Sequence, residues 1–175
     1  KTQNFRASYQ TGFRNPTPVD QFIHLNVCPI TILGGAPNNS KGLNVYENSF
    51  TASSVSAFGA AFGAAMQSGT PFPQAVANNK GLLKKSNVAY IKPEQQKAFE
   101  LGYKGLIADK LLVDLNYYYS SYTNFILNTV VIQPDYPILA ADGTINTAAA
   151  SDIPNGKVHA FQLYTNAPDK VSAQG

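Results

Sequence analysis

The amino-acid sequence predicts an all-β fold: antiparallel strands of a transmembrane β-barrel wall with long loops, one loop carrying a short helix. Three observations predict it. Charged residues are 13% of the 175 positions, about half of the roughly 25% usual in soluble domains, yet no run of about 18 apolar residues offers a membrane helix. Ten Tyr and ten Phe, with frequent Asn, Gly and Pro, favour strands joined by turns and irregular loops. Period-two alternation recurs in segments whose connections run long, short, long, short, as in a barrel with tight turns at one end and long loops at the other.

The first strand spans about 1–14. Phe5, Ala7, Tyr9, Thr11 and Phe13 share one face; Arg6, Ser8, Gln10 and Arg14 lie on the other, the alternation of a strand between two media. Asn15-Pro16-Thr17-Pro18 ends it, because proline donates nothing to a ladder. Residues 15–92 show no such alternation and read as a loop, with turn chemistry at Gly34-Gly35, Pro37-Asn38-Asn39 and Asn78-Asn79-Lys80-Gly81. Inside it Val55, Phe58, Phe62 and Met66 form one helical stripe, with Thr51, Ser53 or Ser54 as N-cap.

Alternation returns over 98–107, with Phe99, Leu101, Tyr103 and Ile107 on one face and Glu100, Gly102 and Lys104 on the other. It continues over 111–132, beginning Leu111, Val113, Leu115, Tyr117 and Tyr119 against Asp114 and Asn116. Parity fixes the hairpin between them. Opposed residues share a face, so paired numbers must sum to an even value. A two-residue turn would set Lys104 against Leu115. A three-residue turn, Ala108 to Lys110, sets Ile107 against Leu111, Lys104 against Asp114 and Leu101 against Tyr117. Residues 133–155 read as a second loop with a small hairpin at Asp142-Gly143. A strand over 157–164, a turn over 165–170 and a strand over 171–175 follow.

The apolar faces are assigned to lipid and the opposite faces to a hydrated lumen. The expected lumen-wall pair is Lys104 with Asp114, and Arg6, Arg14, Glu100 and Asn116 are the other expected lumen residues. On this assignment arginine at Leu101 or Leu115 is costly, and arginine at Gly102 or Asn116 costs less. Phe22, Tyr46, Phe50, Phe72 and Tyr90 are the loop aromatics placed to contact a ligand.

Catalytic and metal chemistry is not indicated. His24 and His159 lack acidic or thiol neighbours at ligand spacing, Glu100 and Asp114 each have a cation to pair with, and no hydrolase, Walker or zinc motif occurs. Asp135, Asp142 and Asp152 lack EF-hand spacing. The lone Cys28 makes no internal disulfide, and the +3 charge is too small and dispersed to suggest nucleic acid. No cofactor is expected.

Several segments resemble the barrels of TonB-dependent outer-membrane receptors. Phe5-Arg6-Ala7-Ser8-Tyr9-Gln10-Thr11-Gly12-Phe13-Arg14-Asn15-Pro16-Thr17 resembles the barrel strand of that family ending in Gly-Phe-Arg-x-Pro. Lys92-Pro93-Glu94 followed by Glu100-Leu101-Gly102-Tyr103-Lys104-Gly105 is similar to its Pro-Glu…Glu-x-Gly-Tyr-Lys signature. Asp114-Leu115-Asn116-Tyr117-Tyr118-Tyr119 resembles the next strand, and Tyr164 to Ala167 with Val171 to Gly175 the next turn and strand start. The pieces come in the family's order over about half of the chain, and the Asn15-Pro16-Thr17 style is that of Bacteroidetes-type, SusC-like members. The resemblance implies a bacterial outer-membrane location with extracellular long loops, and import of a nutrient through a plugged barrel. It implies as partners the TonB complex acting through a plug, a SusD-like lipoprotein lid, and membrane lipid or lipopolysaccharide. No plug or terminal aromatic strand is seen, so the chain is expected to be part of a barrel. The competing readings are a barrel that scaffolds a surface complex without transport, and a soluble secreted carbohydrate-binding β-domain. Siderophore, glycan, peptide and cobalamin all stay open as cargo.

Overall fold

The computed structural model describes residues 3–108 and 110–175. The chain divides into two compact units. One comprises Lys1–Pro16, Lys92–Leu127 and Asn166–Gly175; the other comprises Thr17–Ile91 and Asn128–Thr165.

The first unit is an antiparallel four-stranded sheet. Strands β1 (Gln3–Arg14), β5 (Glu94–Ile107), β6 (Leu111–Thr123) and β9 (Val171–Gln174) are ordered β1-β5-β6-β9. The β5–β6 register is the one parity requires: Ile107 faces Leu111, Lys104 faces Asp114, Gly102 faces Asn116 and Leu101 faces Tyr117. The turn closes with Ala108 at φ 52° and the Lys110 amide on the Ile107 carbonyl at 3.1 Å. Its middle residue, Asp109, lies outside the described residues. Strand β1 pairs with β5 so that Phe5 meets Tyr103, Ala7 meets Leu101 and Tyr9 meets Phe99. Odd residues therefore meet odd residues across three strands. On β9 the parity changes, with Tyr119 facing Gln174 and Ser121 facing Ser172.

The long strand expected over 111–132 is two strands. Asn124, at φ 56°, separates β6 from β7 (Ile126–Pro134). Asparagine tolerates this left-handed conformation better than most residues, and here it turns the chain out of the sheet. Strand β8 (Val158–Asn166) corrects a second expectation. It is not the next strand of the wall, for β9 pairs with β6 instead. Strand β8 belongs to a second sheet, where Phe161, Leu163 and Thr165 are buried on one of its faces. A strand against a protein core alternates as one against lipid does, so periodicity alone did not separate the two.

The second unit contains both long loops, and they are folded. Strands β2 (His24–Asn26), β3 (Ile30–Leu33) and β4 (Phe50–Thr51) join β7 and β8 in a five-stranded sheet ordered β2-β3-β8-β7-β4. One pair, β3 with β8, is parallel. Helices α1 (Pro18–Phe22), α2 (Ala52–Gln67), α3 (Phe72–Asn79) and α4 (Thr147–Asp152) accompany it. Thr17 caps α1 in a capping box, accepting from the Asp20 amide at 3.1 Å while Asp20 accepts from the Thr17 amide at 2.9 Å. Thr51 is the cap of α2 and accepts from the Ser54 amide. Helix α3 begins with proline in its first turn, and its last residues, Asn78 and Asn79, had read as a turn.

Two apolar clusters hold this unit. Phe50, Phe58, Val76 and Leu83 from the first loop pack with Ile138, Ala149 and Ala150 from the second. Leu33, Val45, Tyr46, Val131, Phe161 and Leu163 form the other cluster. Gly34 and Gly35 are close-packing positions. A β-carbon on Gly34 would lie 2.4 Å from the Gln21 backbone, and one on Gly35 would lie 2.5 Å from the Tyr164 carbonyl. Phe58 is fully buried and stacks on Phe62, which meets Phe72 edge-on at 5.3 Å. Phe58→Ala should therefore destabilise this unit by about 3–5 kcal/mol. Amide exchange should accelerate across α2, α3 and α4 and stay unchanged in β1, β5 and β6.

Candidate functional site

The candidate site is the even-numbered face of the four-stranded sheet, because the wall residues named from sequence converge there. Strand alternation puts Arg6 and Arg14 of β1, Glu94, Glu100, Gly102 and Lys104 of β5, and Asp114 and Asn116 of β6 on that one face. Lys104 Nζ lies 3.3 Å from Asp114 Oδ2 across the hairpin. Both side chains are about half exposed, so the pair contributes only about 0.2–1 kcal/mol, and its larger effect is on register. Glu100 stands opposite Ser8 and Tyr118. It is two rungs from Asp114 along the sheet, so the two carboxylates form no catalytic dyad.

Arg6 reaches further than its own neighbour. Its Nη2 donates to Asn116 Oδ1 at 2.5 Å, so the side chain crosses β5 to reach the second strand over. Gly102 makes this crossing. A β-carbon there would fall 2.3 Å from Arg6 Nε and 2.9 Å from Asn116 Oδ1. The expectation that arginine at Gly102 or Asn116 would cost little is thereby corrected. A side chain at Gly102 would have to displace the Arg6 side chain, and Asn116 is a hydrogen-bond partner. The other glycine of the Glu100–Gly105 stretch serves the odd face. The Tyr103 ring lies over Gly105, where a β-carbon would meet its hydroxyl at 2.4 Å, and the same ring packs against Phe5 at 4.8 Å.

At the loop end of the face sits a polar junction that sequence reading missed in part. Arg14 donates to both Glu94 oxygens, Nε at 2.6 Å and Nη2 at 2.9 Å, and Glu94 also accepts from the Ile126 amide at 2.7 Å. Asn166 accepts from the Lys92 amide at 2.6 Å and donates to the Lys92 and Asn124 carbonyls. Two side chains thus fix the ends of β5, β6 and β7. Pro93-Glu94 was visible as a motif; Asn166 lay in the turn read over 165–170, where asparagine reads as turn chemistry and not as a tie between strands.

The loop aromatics part company. Phe50 is fully buried and Tyr46 nearly so, both in core clusters. Phe72 packs on the first cluster. Burial, then the adjacent Tyr90 and Glu47, pushes the Tyr46 phenol well above its usual range, and it donates to the Tyr164 carbonyl at 2.9 Å. Tyr90, stacked on Tyr46 at 4.5 Å, donates to Glu47 at 2.9 Å. All four pack within or against the loop unit's own core, Phe50 and Tyr46 buried and Phe72 and Tyr90 partly so. Phe22 is different, being 57% exposed beside exposed Val19. The three loop aspartates are separately engaged: Asp135 with His159 at 3.5 Å, Asp142 with Thr144, and Asp152 with the Tyr136 amide. Among the described residues no cluster of three or more His, Cys, Asp or Glu is placed to hold a metal.

A two-faced antiparallel sheet with one polar, charge-bearing face and one exposed aromatic face has the alternation that a β-barrel wall requires. The family model of the TonB-dependent receptor-like β-barrel matches residues 1–175, and the chain belongs to that family. The family is one of the outer membrane, consistent with strands as the spanning elements; no described helix is long and apolar enough to cross a membrane. Searches of characterised proteins and of solved structures returned no match.

Gly102→Ala should break the Arg6–Asn116 bond and destabilise the sheet by about 1–3 kcal/mol. Arg6→Ala removes the obstructed side chain, so the double variant should be no less stable than Arg6→Ala alone. Urea unfolding of the folded barrel measures both.

Proposed function

We propose that this chain is wall and outer loop of a TonB-energised importer, with its odd face in lipid, its even face in the water-filled lumen and its second unit outside the cell. The observation that carries the reading is the exposed apolar face. Phe5 and Phe13 are each 75% exposed and Leu115 62%, and the register aligns them with Tyr9, Phe99, Leu101, Tyr103 and Tyr117. A soluble antiparallel sheet buries such a face against a core; a barrel presents it to hydrocarbon. From the Ile107–Leu111 rung to the Tyr9–Phe99–Tyr119 rung is about 26 Å along the strand, at roughly 3.3 Å per residue. A barrel tilt near 40° reduces that to about 20 Å, close to the roughly 25 Å apolar band of such proteins.

In this reading the even face does no bond chemistry; Arg14 pairs with Glu94, Lys104 with Asp114, and Arg6 bonds Asn116, as a hydrated passage tolerates. The TonB complex acts through a plug upstream. The Asn15-Pro16-Thr17 style supports the Bacteroidetes, SusC-like subtype, in which a SusD-like lipoprotein covers the outer mouth. Phe22 is the loop aromatic left free for a ligand or that lid.

Two measurements test the placement. Leu101→Arg and Leu115→Arg should each lower barrel stability by about 2–4 kcal/mol, falling toward 0–1 near an interface. Gln10→Arg, on the opposite face without a bridging role, should cost much less; equal costs would reject the assignment of the faces. Cys28 is exposed in the loop unit. A membrane-impermeant maleimide should label it on intact cells, with Cys28→Ser as the blank. Labelling only after the outer membrane is opened would place the loops on the wrong side.

A further inference from the structure

The two edges of the five-stranded sheet differ. Edge strand β4 is covered: the Thr51 amide donates to the Lys84 carbonyl at 3.0 Å, the Ser86 amide donates to the Ser49 carbonyl at 2.8 Å, and Phe50 is fully buried. Edge strand β2 pairs only with β3 among the described strands. Bonds from the Gly34 amide to the Ile23 carbonyl and from the Val27 amide to the Ile30 carbonyl set the phase of that ladder. Hydrogen-bonded and non-hydrogen-bonded rungs alternate in an antiparallel pair, so the amides and carbonyls of His24 and Asn26 point away from β3. Among the described residues no other segment bonds them. Residues 24–29 are all exposed. Leu25 and Val27 share one face of this segment, and exposed Phe22 comes just before it. Natural edge strands are usually shielded by charged side chains, yet no Asp, Glu, Lys or Arg occurs between Asp20 and Lys41.

We propose that the β2 edge binds an extended peptide by strand addition, which makes peptide the ligand class of this receptor. The inference deepens the importer reading and rests on the loop unit lying outside the cell. The unmet backbone groups name the occupant. Donors and acceptors that alternate at strand spacing are matched by another extended backbone, and a sugar or a metal chelate carries no such repeat. An antiparallel peptide puts one residue opposite Asn26 and the next but one opposite His24, both on the polar face. The residue between them stands opposite Leu25 on the apolar face. The edge therefore selects alternating polar and apolar side chains, and it offers no acid or cation to pair with a charge. Its length argues against a second copy of the chain as occupant. Three residues span about 10 Å, far too short for a contact of the roughly 1,200–2,000 Å² that a stable protein pair buries, but enough to hold a short peptide reversibly.

The test uses the full-length receptor in detergent and the fluorescence anisotropy of one probe, fluorescein-Thr-Val-Thr-Val-Thr-amide. In the proposed register the threonine amides face β2 and the valine amides face away. N-methylation of the threonines should weaken binding about tenfold, the effect of losing two backbone hydrogen bonds. N-methylation of the valines should leave it unchanged. His24→Pro removes one outward donor and no bond to β3, and Ile23, at φ −57° and ψ 135°, already has the conformation a following proline requires. It should weaken binding about fivefold, with amide exchange in β3 and β8 unchanged as the sign of an intact sheet. Leu25→Asp keeps every backbone donor and should weaken binding at least as much, so it decides the matter if His24→Pro disturbs the sheet. Equal effects of the two methylations, or unchanged binding in Leu25→Asp, overturn the proposal. So does a receptor dimer that His24→Pro dissociates, which would assign the edge to a second copy. Maleimide labelling of Cys28 on intact cells without peptide separates the underlying reading. Labelling there upholds the outward placement whatever the probe does, and labelling only in opened cells rejects that placement and the proposal with it.

Discussion

Everything in the sheet depends on the rule that residues opposed across antiparallel strands share a face. When the two faces meet different media, one slipped residue puts every side chain in the wrong one. The hairpin turn therefore sets more than its own geometry. With Ala108 in a left-handed conformation, three residues connect Ile107 to Leu111, and the odd-to-odd pairing extends through β5 to β1. The Lys104–Asp114 pair is weak as an energy and useful as a marker. Any register off by one would oppose lysine to an apolar side chain and leave the carboxylate without its cation.

Small residues then decide how far the polar face is tied together. Pairwise cross-strand contacts join only neighbours. Arg6 joins β1 to β6 because β5 offers Gly102 beneath it. On the opposite face Gly105 accepts the Tyr103 ring, which contacts Phe5 on β1. A motif that reads as strand-weakening glycine is thus a place where two long side chains lie flat. The loop end is tied differently, through Glu94 and Asn166, whose bonds reach backbone amides and carbonyls where the chain leaves the sheet.

The parts of this architecture legible in the sequence were those where two media act on one strand. Strands β1, β5 and β6 alternate over ten or more residues because each side chain must satisfy either an apolar or a polar surface, so their pairing could be derived by parity. The loop unit left a fainter trace. Its core joins Phe50 and Phe58 to Ile138 and Ala149, residues about 90 positions apart with no common period. Helices α1 and α3 were obscured by Pro18 and Pro73, which suit a first helical turn as well as they suit a loop. The burial of Phe50 and Tyr46 was hidden for the same reason: an aromatic between turn signals shows no partner until the fold supplies one. The helical stripe in α2 was visible because all four of its residues come from one segment.

The folding of both loops into one unit carries a structural consequence. The first loop alone supplies Phe50, Phe58, Val76 and Leu83; the second supplies Ile138, Ala149 and Ala150. Neither set closes without the other, and β3 of the first loop pairs in parallel with β8, which follows the second. Parallel pairing needs a long crossover, and here the crossover runs through β5 and β6 of the sheet. The loop unit is therefore closed by segments far apart in the chain, which strands β5 and β6 separate in sequence.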